Sequence, residues 1–210
     1  MKVAPKIILA STSPRRVDLM KQMGFEFEAV SPSADETQRK GEKPEALVKR
    51  LAFSKALSVV SAYQDSVVII AADTVVVSPN GRKTLGKPKN VRDAEKMLKS
   101  LVGKTHSVLS GYCILICERG KIQKKKTRMI RSRVKMRKLT SHEIARYVAS
   151  QEPMDKAGSY AAQGLGTALV ESLNGSYTNV VGLPITQLVS DLEKMLGIRF
   201  LDWTRDDHSD

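Results

Sequence analysis

Ile7-Ile8-Leu9-Ala10-Ser11-Thr12-Ser13-Pro14-Arg15-Arg16 changes backbone type within ten residues. Ile7 to Ala10 reads as a short buried strand. Ser13-Pro14 reads as a helix start, with Ser13 as N-cap and Pro14 at the first helical position. Leu19, Met20 and Met23 supply an apolar side, and Gly24 is a fitting stop. A buried strand that feeds straight into a helix is the opening of an α/β protein.

The pattern continues outward. Phe25 to Val30 alternates as a second strand, and residues 31–43 form a polar loop. Pro44 opens a long helix to about Ala62, with Leu47, Leu51 and Lys55 on one stripe. Val67 to Val77 is nearly all apolar and β-branched, as suits a strand buried on both faces. Asn90 caps a helix that ends at Gly103. Residues 105–117 and 121–139 read as two long strands joined by Glu118-Arg119-Gly120. Thr140-Ser141-His142-Glu143 is a capping box. Residues 152–167 are Gly-rich and irregular. Leu169 to Leu173 and Tyr177 to Val181, around Asn174-Gly175, predict a hairpin with a type I′ turn. Leu183-Pro184 starts a last helix. Helices and strands alternate first and hairpins follow, so the sheet is expected to be mixed.

The chain has 210 residues, which fits one domain, or one domain with two lobes. A polar tail is expected from about residue 205. Cys113 and Cys117 are too few for a disulfide framework and read as core thiols of a reducing compartment. No run of 18 apolar residues exists, and the apolar run after Lys6 is too short for a signal core, so the expectation is a cytoplasmic protein without a membrane span. The net charge of +13 is local. Residues 121–138 hold ten Lys or Arg and no acid, while the other 192 residues carry a net of only +3.

Several residues have chemistry to offer. Arg15 and Arg16 in a first helical turn oppose the helix dipole unless an anion joins them. With Ser11 and the backbone amides they read either as a phosphate cradle or as a solvated basic turn. Asp73, inside the apolar strand, needs a partner: a structural ion pair, or a role as general base or Mg²⁺ ligand. Lys55 points where an apolar residue belongs. Either it meets a buried anion or it snorkels to the surface. Lys87 lies in a Gly-Lys-Pro bend. Glu36 and Asp35 are equal rivals in the polar loop. Gln163 sits in Ala161-Ala162-Gln163-Gly164-Leu165-Gly166, either an amide placed to read a base edge or a plain turn. Glu152, Asp155 and Lys156 either line a cleft or face water. His106, His142 and His208 are scattered and make no zinc site, and no Ser-His-Asp set is evident.

In order along the chain stand Leu9-Ala10-Ser11-Thr12-Ser13-Pro14-Arg15-Arg16, Ala72-Asp73-Thr74-Val75, Gly86-Lys87-Pro88, Glu152-Pro153, Asp155-Lys156-Ala157-Gly158, Gln163-Gly164-Leu165-Gly166 and Val181-Gly182-Leu183-Pro184. This series resembles the Maf family of nucleotide pyrophosphatases, over roughly residues 6–197. The resemblance implies a mixed α/β fold of two lobes around a central cleft, related to inosine triphosphate pyrophosphatases and often a homodimer. It implies hydrolysis of a nucleoside triphosphate to the monophosphate and pyrophosphate with a divalent metal, Mg²⁺ first and Mn²⁺ as its substitute. Ser11, Arg15, Lys55 and Lys87 would hold phosphates, and Glu36 and Asp73 would place the metal and the attacking water. Asp73 would act as the base. Arg16, Thr74 and Gln163 are similar to members that prefer dTTP and UTP, which points to pyrimidine nucleotides, modified ones included.

The basic segment departs from the family. Arg131, Arg133, Lys135 and Arg137 fall on one face at period two. The plain expectation is a solvated strand face. The rival is a nucleic-acid-binding or division-regulating protein that uses residues 121–138, although no aromatics are interleaved for base stacking.

Overall fold

A computed structural model describes residues 5–202. The tail expected from about residue 205 lies outside the described residues. The first strand and helix form where the opening stretch places them, as β1 (Lys6–Ala10) and α1 (Pro14–Gln22). There follow β2 (Phe27–Val30), α2 (Pro44–Leu57), β3 (Val67–Val77), β4 (Thr84–Leu85) and α3 (Val91–Leu101). The remainder is β5 (Thr105–Glu118), β6 (Lys121–Met136), α4 (Ser141–Ala149), β7 (Val170–Asn174), α5 (Tyr177–Val181) and α6 (Ile185–Leu196). The long helix expected to about Ala62 stops at Leu57, and a separate 3-10 turn covers Val60–Ala62.

The sheet has seven strands in the order β2-β1-β3-β5-β6-β7, with β4 on β3. It is mixed. β1 runs parallel to both β2 and β3, whereas β3 with β4 and β6 with β7 are antiparallel. Among the described residues no helix is long and apolar enough to cross a membrane.

The chain forms two compact units. The first is Met1–Asp73, Gly111–Met129 and Gly182–Asp210; the second is Thr74–Ser110 and Ile130–Val181. Each has its own apolar core. In the first, Ile8, Ile69, Ala52, Ala56, Cys113 and Leu115 pack together. There α2 lies directly against β5, because Gly111 has no side chain: a Cβ would stand 2.3 Å from the carbonyl oxygen of Val48. In the second, Leu98, Leu101, Val108, Met136, Ile144 and Tyr160 form the core.

One expectation is overturned. Residues 170–174 are a strand, but 177–181 are helical, so Asn174-Gly175 is not the turn of a hairpin. β7 takes its partner from β6, with Arg133 opposite Asn174. The Asn179 side chain is drawn inward, where its amide nitrogen donates to Val108 O at 3.2 Å and to Ser132 Oγ at 2.9 Å. Neither bond would form if 177–181 ran on as a strand beside 169–173. The capping box of α4 is present, with Thr140 Oγ1 accepting from Glu143 N at 3.2 Å.

Candidate active site

In the first unit the end of β1 becomes a tied turn. Ser11 is buried and its amide donates to Leu9 O at 2.9 Å. Ser11 Oγ accepts from Ser13 N at 3.2 Å and from Arg16 Nη1 at 3.3 Å. Arg16 Nε donates to Gly182 O at 2.9 Å. Ser13 stands at the N-cap in extended geometry, yet its side chain makes no capping bond. Burial pulls the Arg16 guanidinium below the ordinary arginine value; Asp73 and Glu36 oppose that shift, and Arg15 adds to it. Two arginines thus crowd one helix start, where backbone N–H groups already favour an anion.

Lys55 is buried, as its place on the apolar stripe of α2 requires. Its Nζ lies 2.7 Å from Asp73 Oδ1 and 2.9 Å from Glu36 Oε1. The lysine on the stripe and the aspartate in the strand therefore account for each other. Asp73 is buried as well, while the Glu36 side chain is 62% exposed, so this cluster opens to solvent on the Glu36 side.

Asp35 and Glu36 have different partners in the loop. Asp35 Oδ1 accepts from Thr37 N at 2.9 Å and so closes a turn, whereas Glu36 reaches Lys55. The loop is pinned by two residues that the sequence reading did not single out. Arg50 binds Glu42 in bidentate fashion, Nε to Oε1 at 2.7 Å and Nη2 to Oε2 at 2.8 Å, and also donates to Thr37 O at 2.9 Å. The Arg50 hydrogen bonds hold the Glu42 carboxyl down at about 2. An acid just before Pro44 and an arginine two turns into the helix were the available signal.

The second unit holds the other predicted residues. Thr74 Oγ1 lies 2.8 Å from Ser110 Oγ, which donates to Asn179 O at 2.9 Å. The Ser110 proton is spent on that carbonyl, so Thr74 is the donor between the two hydroxyls. Lys87 stands exposed in its bend, where Gly86 O accepts from Gly158 N at 3.0 Å. Gln163 is half-buried and extended, just before the 3-10 turn Gly164–Leu169. Lys55, Asp73, Glu36, Ser11 and Arg16 are thus linked within one unit, and Lys87, Thr74 and Gln163 belong to the other.

The basic segment is β6 and the two residues that follow it. Ser132, Val134 and Met136 face inward and Arg131, Arg133 and Lys135 outward, so the period-two reading holds. Much of its charge is engaged. Lys124 Nζ donates to Met195 O at 3.1 Å, Lys125 lies 4.6 Å from the Phe53 ring centroid, and Arg128 is 3.7 Å from Asp191. Lys135 and Arg137 pair with Glu171 and Glu143 at 2.5 and 3.1 Å. β7 covers β6 only along Arg133–Met136. Among the described residues, the rest of that side of β6 is a bare sheet edge, where lysines oppose edge-to-edge pairing.

Fold and site together define an α/β protein with cations and carboxylates gathered where a strand turns into a helix. The chain belongs to the family described as Maf-like protein, whose model matches residues 6–195. It is 45% identical over 192 residues to a dTTP/UTP pyrophosphatase of Dictyoglomus thermophilum, covering 90% of this chain and 96% of that one. It is 43% identical to the dTTP/UTP pyrophosphatase of Clostridioides difficile, over 91% of this chain and 96% of the relative. Among solved structures, the Staphylococcus aureus Ham1 protein aligns over 79% of each chain, with a TM-score of 0.42 and 15% identity.

Proposed function

We propose that this protein hydrolyses nucleoside triphosphates to the monophosphate and pyrophosphate, with dTTP, UTP and modified pyrimidine nucleotides as substrates. It would thereby clear unwanted nucleotides from the pool, as a cytoplasmic homodimer. The observation that carries this reading is Lys55 Nζ held between Asp73 Oδ1 and Glu36 Oε1, in the same unit as the Ser11–Arg16 turn. The names of the relatives support the substrate class.

In this reading water attacks the α-phosphorus, the bond to the bridging α–β oxygen breaks, and pyrophosphate leaves. Such a reaction needs positioned charge more than covalent chemistry. Arg15, Arg16 and Ser11 hold phosphate oxygens, with Lys55 and Lys87 adding charge. Asp73 takes the proton of the attacking water. Thr74 and Gln163 recognise the base end of the substrate. Asp73 and Glu36 are hard oxygen donors that both reach the Lys55 ammonium group, and two such neighbouring carboxylates, with substrate phosphates, would suit Mg²⁺ or Mn²⁺. Bound there, the metal would neutralise developing phosphate charge.

The test is pyrophosphate release over dTTP, UTP, CTP, 5-methyl-UTP, pseudo-UTP, 7-methyl-GTP and ITP, with and without Mg²⁺. Metal-dependent release from dTTP and UTP is expected. Turnover of 7-methyl-GTP or ITP in their place would overturn the pyrimidine assignment, and silence from folded protein would overturn the activity.

A further inference from the structure

Glu152 serves no role in the reaction described above, yet its carboxylate accepts three hydrogen bonds within the second unit. Oε1 accepts from Gly166 N at 2.8 Å and from Tyr147 Oη at 2.8 Å, and Oε2 accepts from Leu165 N at 2.9 Å. Tyr147 Oη in turn accepts from Ala161 N at 3.1 Å. One acid and one phenol therefore tie down both ends of the segment that carries Gln163.

The glycines of that segment follow from the clamp. Gly164 has φ +58°, and a Cβ there would stand 2.5 Å from Glu152 Oε2. At Gly166 a Cβ would stand 2.3 Å from Ala161 O and 2.8 Å from Tyr147 Oη. The backbone approaches the clamp too closely for any side chain. The clamp itself is anchored. Tyr147 comes from α4, fixed by its capping box, and Lys156 Nζ donates to Glu152 O at 2.6 Å. Gln151, just before Glu152, is held at φ +63°, an uncommon backbone for a residue other than glycine. The Gln163 amide, by contrast, makes no hydrogen bond to another described residue.

We propose that Glu152 and Tyr147 are positioning residues for nucleobase selectivity, which fix the Gln163–Gly166 backbone so that the Gln163 amide is presented to the Watson–Crick edge of a uracil or thymine ring. Such a ring offers an N–H donor beside a carbonyl acceptor, and an amide matches both at once. The inference rests on the base-reading role given to Gln163 above. A donor or acceptor removed from the clamp leaves backbone N–H groups unpaired and lets the loop sample other conformations.

The experiment uses the whole protein and compares dTTP with dGTP. Glu152→Gln keeps the shape but can no longer accept both backbone N–H groups, and Tyr147→Phe removes only the phenolic contacts. In both variants KM for dTTP is expected to rise on the order of ten-fold, as for loss of a hydrogen bond to a charged group. Little change in kcat and a fall in the preference for dTTP over dGTP should accompany it. In a Gln163→Ala background Glu152→Gln should cause no further loss of preference. A variant that melts lower yet keeps the wild-type KM and preference overturns the proposal and leaves a purely structural clamp. If Glu152→Gln fails to fold, Tyr147→Phe decides by the same readouts. A wild-type protein that turns over dTTP while both variants match it sinks this inference alone. A wild-type protein silent on dTTP and UTP sinks the parent reading, and this one with it.

Discussion

Asp73 and Lys55 are each 7% exposed and stand 2.7 Å apart, and a buried charge is costly without a partner of opposite sign. Asp73→Asn keeps the shape of the side chain, and Lys55 still has Glu36 at 2.9 Å. Turnover is expected to fall by roughly 10²- to 10⁴-fold, the usual worth of a positioned acid–base group, with little change in thermal unfolding. Substantial activity in that variant would remove Asp73 from the chemistry. Lys55→Met acts in the opposite way. It leaves a buried carboxylate without its cation, at a cost of about 3–5 kcal/mol, measurable by urea denaturation. Added Mg²⁺ should restore more stability to this variant than to the wild type, since it would fill the vacated cationic position; equal responses would argue against metal binding there. Each of the two was conspicuous in the sequence because a charge in an apolar run has few ways to be satisfied, but the residues alone left open whether Lys55 meets a buried anion or reaches the surface. That Glu36 rather than Asp35 meets Lys55 was not legible, since it depends on an Asx turn and on Arg50 reaching back to Glu42 across the loop.

At the level of elements, Gly111 sets how closely α2 can approach β5. Gly111→Ala would drive a Cβ against the Val48 carbonyl at 2.3 Å, and backbone cannot swing aside as a side chain can. A loss of about 1–3 kcal/mol is expected, the range for overpacking, together with weakened turnover because α2 carries Lys55. A melting point equal to that of the wild type would refute this account. On β5, His106 Nε2 lies 2.7 Å from Tyr160 Oη, and burial pushes the imidazole down to about 4. The native state then binds fewer protons than the unfolded chain, whose histidine titrates near 6.5. Stability should be full above pH 6.5 and fall as the pH drops towards 4, and His106→Gln should flatten that slope in urea titrations at stepped pH. Strands and helices were readable wherever period or caps were strong, as in β3, the capping box of α4 and the Asn90 cap, whose Oδ1 accepts from Asp93 N at 2.9 Å. The Asn174-Gly175 signal misled because the partners of Asn179, Val108 and Ser132, come from distant strands that no local pattern announces.

Over the whole molecule, the charge of +13 invites a polyanion, but ten of the Lys and Arg lie in residues 121–138 without an acid, and there Lys124, Lys125, Arg128, Lys135 and Arg137 have neighbours of their own. Replacing Lys124, Lys125 and Lys126 with Gln should leave kcat/KM for dTTP within about two-fold, as for surface changes outside a site. The same variant should aggregate more readily, because a bare sheet edge loses its charges. A large loss of turnover, or of salt-sensitive binding to RNA or DNA, would give the basic strand a functional part instead.

The bond from Arg16 Nε to Gly182 O has a meaning for biosynthesis. The ribosome releases Ser11 and Arg16 early, but the carbonyl that fixes the arginine comes some 166 residues later. Asp191, which accepts from Tyr112 Oη at 2.6 Å, comes later still. A nascent or prematurely terminated chain therefore carries the Ser11–Arg16 turn without the carbonyl that orients Arg16. The turn can take its final form only once Gly182 has been made.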